Sequence, residues 1–172
     1  MRLAPMIVER EQPGQEAEIR AVTLAAFGRA AEADLVDALR ADEGRIPELS
    51  LIARQNGQIT GHVVCSRGYV ETAPALGLGP LSVHPDHQKR GVGSALVHAV
   101  LGAADALGEP VVILLGDPRY YARFGFRFAG EFGITAPVAE WAPYFQARPL
   151  TSCSPSLRGG FTYAAPFDAV PA

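Results

Sequence analysis

Apolar residues along this chain recur at a few spacings, and each spacing predicts an element. Ile7 to Arg10 reads as a short strand that stops at Pro13-Gly14. Ile19, Val22 and Ala26 then return at three- and four-residue steps, which predicts a helix through about Phe27. A second helical stretch sets Ala31, Leu35 and Leu39 on one face. Leu49 to Arg54 is a strand. Asn56-Gly57, a pair that accepts the positive φ angles of a two-residue hairpin, joins it to the next strand, Gln58 to Cys65. Alternation puts Ile59, Gly61, Val63 and Cys65 on one side of that strand. The chain loosens from Glu71 to Ala75 before another apolar run, Leu78 to Val83.

A polar loop, His84 to Arg90, separates that run from Gly91-Val92-Gly93, which opens a long helix. Val92, Leu96, Ala99, Val100, Ala103 and Leu107 keep helical time, and Gly108-Glu109-Pro110 ends the helix. Val111 to Leu115 is a continuous apolar run that fits a buried strand. Gly116-Asp117-Pro118 opens a short segment, Arg119 to Phe124, which Gly125 caps, and Phe126 to Ala129 starts another strand. Trp141, Tyr144 and Phe145 fall in a turn or short helix, and Gly160 to Phe167 predicts a final strand. The fold class is mixed α/β.

Composition narrows the function. A chain of 172 residues with 48% apolar residues can build one packed core, and neither repeats nor a long linker divide it. Fifteen basic against 18 acidic side chains give a net charge of −3, which argues against a nucleic-acid partner. Thr72 to Pro85 and Gly91 to Ala104, the longest stretches free of Asp, Glu, Lys and Arg, run to 14 residues each, short of the ~18 that span a membrane. Only Leu3 to Val8 lies between Arg2 and Glu9, too short for a secretory signal, so a cytoplasmic location is expected. Cys65 and Cys153 lack CxxC spacing and are read as reduced. His84, Asp86 and His87 are too few for a metal site. Ser94, Ser152 and Cys153 lie in no nucleophile motif.

The chemistry concentrates in the loop Gln88 to Ser94. A helix N-terminus presents unpaired backbone N–H groups and the positive end of the helix dipole, which suits an anion such as pyrophosphate. Gly91 and Gly93 let a phosphate approach closely, while Lys89, Arg90 and the Ser94 hydroxyl add charge and hydrogen bonds. A strand, a GxG and a helix also open a nicotinamide-dinucleotide-binding unit, with Asp117 ending the next strand. Here, however, Leu96 occupies the third glycine position, and seven residues separate strand from glycine.

The spacing Q-x-x-G-x-G, formed by Gln88, Gly91 and Gly93 in LSVHPDHQKRGVGSAL, together with the later YYARFGF, resembles the GNAT superfamily of N-acetyltransferases. The resemblance covers Ile7 to about Ala129 in element order and is sharpest over Leu78 to Leu96 and Arg119 to Phe126. It implies one mixed, mostly antiparallel central sheet flanked by helices, with a splayed strand pair. On this reading residues 1–75 form the N-terminal helices and hairpin, 76–130 the acetyl-CoA-binding core, and 131–172 a C-terminal segment on the acceptor side.

The resemblance further implies that acetyl-CoA lies between the strand ending at Val83 and the strand ending at Leu115. Leu81, Ser82 and Val83 would pair with the pantetheine arm, an N–H near Leu81 would polarise the thioester carbonyl, and Gln88, Lys89, Arg90, Gly91, Val92, Gly93 and Ser94 would hold the pyrophosphate. Pro80, unfavourable in a central strand, fits the bulge that splays the pair. Tyr121 matches the tyrosine that protonates the departing thiolate; packing on a short helix is the alternative for Tyr120 and Tyr121 alike. Glu71 is the candidate general base, or else a solvated loop carboxylate. Trp141, Tyr144 and Phe145 either line an acceptor pocket or pack against the sheet. The connection Gly116 to Tyr120 is shorter than the family's usual turn, which puts side-chain contacts to the CoA tail there in doubt. The implied activity is acetyl transfer from acetyl-CoA to an amine. A non-catalytic acetyl-CoA sensor is the rival from another class, and a nicotinamide-dependent oxidoreductase is a more distant one. Neither the acceptor nor the oligomeric state can be read.

Overall fold

Asn56 and Gly57 both take positive φ angles, 53° and 76°, which match the twist of the strands they join. In the computed structural model, which describes residues 4–171, this hairpin joins the second and third strands of the sheet. The elements in chain order are β1 (Ile7–Arg10), α1 (Glu16–Phe27), α2 (Ala31–Ala41), β2 (Arg45–Gln55), β3 (Gln58–Val70), β4 (Ala73–Val83) and α3 (Val92–Ala106). They continue with β5 (Val111–Leu115), α4 (Pro118–Tyr121), β6 (Arg127–Phe128), β7 (Ile134–Thr135), β8 (Phe145–Pro149) and β9 (Gly159–Thr162). The strand order is β1-β2-β3-β4-β5-β8-β6, with β9 joined to both β3 and β7. Every neighbouring pair on the main path is antiparallel except β4 with β5.

The three central strands are longer than their apolar runs suggest. β4 begins at Ala73, so the expected loose stretch from Glu71 to Ala75 shrinks to a two-residue turn at Glu71 and Thr72. The register of β3 also departs from simple alternation. Arg54 pairs with Ile59 but Ala53 pairs with Gly61, leaving Thr60 as an extra residue. Such a bulge reverses the faces of the residues beyond it. Ile59 therefore packs with Ile19, Val22, Val36 and Ile52 under α1 and α2, while Val63 and Cys65 face α3.

Helix α3 covers that second face. Leu96, Val97, Val100 and Ala104 are fully buried, whereas Leu107, expected in the stripe, lies beyond the last turn and is 48% exposed. Complete burial of Leu96 alone is worth roughly 2–3 kcal/mol. On the other face Arg20 bonds both Asp34 (2.8 Å) and Asp37 (2.7 Å), fixing α1 against α2. Phe145, expected in a turn or short helix, instead starts β8, which pairs with the whole of β5. The helical turn ends one residue earlier, at Tyr144. The final strand is likewise shorter than expected, and Ala165–Ala169 form a 3-10 turn.

A buried polar cluster ties β1 to the sheet and to α2. The Glu11 carboxylate, 7% exposed, accepts from Arg40 Nε at 2.5 Å and from the Ser50 hydroxyl, and Ser50 in turn contacts His62 Nε2 at 2.9 Å. Burial alone would raise the Glu11 pKa, but hydrogen bonds from His62, Ser50 and Arg40, with the Arg40 charge, hold it at about 2. Burial works the other way on His62, lowering its pKa against the pull of Glu11. Among the described residues no helix is long and apolar enough to cross a membrane.

Candidate active site

Strands β4 and β5 pair only at Leu76 with Val112 and Gly77 with Ile113, and then diverge. The cause lies in β4. Cys65 pairs with Leu78 but Val63 pairs with Leu81, so three steps of β4 oppose two of β3, and the surplus falls at Gly79-Pro80. Proline has no N–H to offer a neighbour, and the bulge increases local twist, so the strands part where Pro80 stands.

The loop after β4 is rigidly built. Gln88 Nε2 donates to the Val83 carbonyl at 3.1 Å, and His84 Nδ1 accepts from the Asp86 N–H at 3.1 Å. Lys89 (φ 60°) and Gly91 (φ 84°) take the left-handed conformation, a change of backbone hand of the kind that gathers N–H groups around an anion. No side chain caps α3. Its first N–H groups are therefore left to solvent or ligand. Gly93 permits a close approach, because a Cβ there would stand 2.6 Å from the Tyr120 hydroxyl and the phenol would have to shift.

Two cavities flank the splayed strands. One, of about 690 Å³, is bordered by Leu81, Val83, Gln88, Lys89, Gly91 and Gly93, with Ser94 on the same wall. The other, of about 610 Å³, is bordered by Leu78, Pro80, Leu114, Gly116 and Tyr121. Leu81 and Phe27 border both, so the two meet at the bulge. Of the expected cofactor residues, the structure gathers Leu81, Val83, Gln88, Lys89, Gly91, Gly93 and Ser94 around the first cavity. It does not bring in the side chains of Ser82, Val92 or Arg90. Ser82 turns to the α1 face, its hydroxyl 3.4 Å from that of Thr23; Val92 is in the core; and Arg90 is exposed.

Tyr120, Phe27 and Arg123 also border the first cavity, and sequence reasoning did not place them there. Arg123 donates to the Tyr120 carbonyl at 2.9 Å and lies 4.7 Å from the centre of its ring, which parks a cation at the cavity mouth. Its position inside YYARFGF is the signal that could have found it. Tyr121 lies in the other cavity. Its ring packs on Phe126, with centroids 5.7 Å apart, and against Gly116, where a Cβ would come within 2.6 Å of the ring. Burial, and secondarily Tyr120, push its pKa well above the ordinary phenol value. A phenol in these surroundings stays protonated, and a thiolate beside it becomes more basic for the same reason.

Glu71, the expected base, does not belong to this arrangement. It sits at the β3–β4 turn, seven residues before Leu78 begins the bulge, and the stretch of β4 from Ala73 to Leu78 alone spans about 17 Å. Its carboxylate accepts from the Gly160 N–H at 2.7 Å, and its own N–H donates to the Gly160 carbonyl at 2.9 Å, which fastens β9 to the hairpin. Glu71 is a positive-φ turn residue (53°) with a structural bond, and it borders neither cavity. Of the three C-terminal aromatics, Trp141 borders the second cavity, Phe145 is in the core, and Tyr144 is exposed. Among the described residues no group of three or more His, Cys, Asp or Glu is placed to hold a metal ion. The mostly antiparallel sheet, and a buried Leu96 where a third glycine would stand, separate this loop from a dinucleotide-binding unit.

Residues 17–126 match the family model described as acetyltransferase (GNAT) family. The chain is 36% identical over 157 residues to the uncharacterized N-acetyltransferase YjhQ of Escherichia coli K12, an alignment that covers 87% of each. It superposes on a GNAT family N-acetyltransferase, YhbS of Escherichia coli, in complex with CoA, with a TM-score of 0.91 and 28% identity, covering 98% of this chain and 94% of that one. A GNAT family acetyltransferase from Brucella melitensis in complex with acetyl-CoA gives 0.80 and 35% identity, covering 96% and 99%.

Proposed function

The chain belongs to the GNAT acetyltransferase family, and we propose that it moves the acetyl group of acetyl-CoA to a primary amine by direct attack in a ternary complex. It is an acyltransferase, and acetyl-CoA is its cosubstrate. The observation that carries the mechanism is the meeting of the two cavities at the Gly79-Pro80 bulge, with an anion cradle on one side and a partly buried tyrosine on the other.

The residues fit the cosubstrate part by part. Lys89, the uncapped first turn of α3 and the Arg123 guanidinium suit the phosphates. The free edge of β4 at Leu81 to Val83 suits an extended arm carrying amides, and an N–H near Leu81 suits the thioester oxygen as it gains charge. The amine must first lose a proton to water, since only the neutral form carries a lone pair. Its nitrogen bonds to the carbonyl carbon, the carbon–sulfur bond breaks, Tyr121 gives its hydroxyl proton to the departing sulfur, and the surplus proton on nitrogen leaves through water and restores the Tyr121 phenol, so that a neutral amide and free thiol result.

A thermal-unfolding titration with acetyl-CoA, CoA, NAD and ATP tests the cradle, because a ligand at ~100 times its dissociation constant stabilises the native state by roughly 2.7 kcal/mol. Acetyl-CoA and CoA are expected to raise the melting temperature. A rise with NAD or ATP alone would refute the assignment.

A further inference from the structure

We infer that the acceptor is a cationic primary amine carried on an apolar, ring-sized body, and that Glu32 receives its positive charge. The inference rests on the acetyl-transfer reading and concerns the second cavity, which Tyr121 borders. Its walls are apolar, with Phe27, Pro80, Leu115, Trp141 and Tyr163 as the large surfaces. Trp141 is only partly buried, so part of its ring remains to be covered, while the Tyr163 ring already packs on Phe161 and Phe167, at 4.7 and 4.6 Å between centroids. A polyhydroxylated or polycationic acceptor would leave polar groups unpaired against such walls, whereas a flat apolar body would replace water on them.

Only three ionised side chains border the cavity among the described residues: Arg29, Glu32 and Asp117. Their formal charges sum to −1. Glu32 stands in the first turn of α2 and is 8% exposed, an unusual depth for a carboxylate, and among the described residues its single ionic partner is Arg29. Arg29 Nε donates to both Glu32 oxygens, at 2.9 and 3.0 Å, and its Nη2 donates to Oε1 as well, while its own side chain stays half exposed. Of the roughly four lone-pair sites of a carboxylate this fork engages three, which leaves one on Oε2. An ammonium entering from the mouth can therefore bond Glu32 without displacing a buried partner. Asp117 is held by the exposed Arg119 and by the Arg119 N–H, so it adds charge at the rim rather than a free acceptor. An acceptor with its own carboxylate beside the amine would meet Glu32 and Asp117 as like charges, and the cations nearby, Arg29 and Arg119, are already engaged by those two carboxylates.

The test measures thiol release from acetyl-CoA with phenethylamine, tryptamine, phenylalanine, spermidine and a lysine-containing peptide. The expected result is a kcat/KM at least ten-fold higher for the two arylalkylamines than for the other three. Glu32→Gln is expected to raise the phenethylamine KM at least ten-fold with kcat changed less than three-fold and the acetyl-CoA KM unmoved. Trp141→Ala, at a half-exposed position, is expected to raise the tryptamine KM without lowering the melting temperature. Preference for spermidine, phenylalanine or the peptide, or an amine KM that neither variant moves, overturns the inference. If no amine releases thiol while acetyl-CoA still raises the melting temperature, the acceptor class is wrong and the cradle stands. If acetyl-CoA raises nothing, the acetyl-transfer reading falls with it.

Discussion

Tyr120 and Tyr121 are consecutive, with ring centroids 4.9 Å apart and planes nearly perpendicular, yet they border different cavities. Helix α4 divides them: Tyr120 stands over Gly93 in the anion cradle, and Tyr121 lies against Gly116 beside the splayed strands. Replacing Tyr121 by Phe is expected to lower kcat by about 100-fold, the lower range for a lost general acid, with acetyl-CoA affinity kept. Tyr120→Phe is expected to leave kcat nearly unchanged. Steady-state thiol release on the two variants checks the division, and equal losses would refute it.

Gly93 can be tested for close approach alone. A Cβ at this position meets the Tyr120 hydroxyl at 2.6 Å, whereas one at Gly102, on the same helix, meets nothing within 4 Å. Gly93→Val is expected to weaken acetyl-CoA binding by roughly ten-fold or more in a calorimetric titration. Gly102→Ala is expected to bind normally and to gain roughly 0.5–1 kcal/mol of stability from its lower unfolded-state entropy.

The buried cluster around Glu11 predicts acid lability with a definite sign. His62 has a lowered pKa, so an unfolded chain takes up a proton near the ordinary 6.5 that the native chain refuses, and stability falls as pH drops through that value. Glu11 is likewise held at about 2 against an ordinary 4.5, so its contribution, at most about 3 kcal/mol, is present above 4.5 and lost as pH falls toward 2. Melting temperature measured from pH 7 to pH 3 should decline in both windows. Glu11→Gln should flatten the lower one, and a flat wild-type profile would contradict the arrangement.

Glu71→Ala separates a structural carboxylate from a catalytic one. Losing the bond to the Gly160 N–H is expected to destabilise the protein by about 1 kcal/mol, seen in chemical denaturation, while kcat and its pH profile stay as they were. A large fall in kcat with unaltered stability would restore Glu71 to the chemistry.

What could be read from the chain follows how local each determinant is. The turn at Asn56-Gly57, the helix opening at Gly91 and the strand Val111–Leu115 depend on residues a few positions apart, and the structure has them where the spacing puts them. Ile59 was legible as buried but not as to side, because one extra residue at Thr60 decides its face. Strand β8 was illegible for a different reason: FQARP carries a glutamine, an arginine and a proline. Gln146 is nonetheless 1% exposed, since its amide donates to the Gly116 and Tyr144 carbonyls. Glu11 and Glu32 carry no local mark of burial in the sequence, because the partners that bury them come from elsewhere in the fold or from an ordinary helix turn. Glu71 lies apart from both cavities because adjacency to the β4 strand in sequence is not adjacency to its working end.

The two-rung junction of β4 and β5 leaves strand edges inside the sheet rather than at its rim. An unpaired edge at a sheet's border is a hazard, since any other chain can add a strand to it and begin aggregation. Here the unmatched backbone groups face each other across a gap, with α3 and its core residues closing one face. A neighbouring molecule's sheet cannot enter such a gap, but a single slender chain can. The protein thereby keeps its strand-pairing capacity sheltered from its own copies.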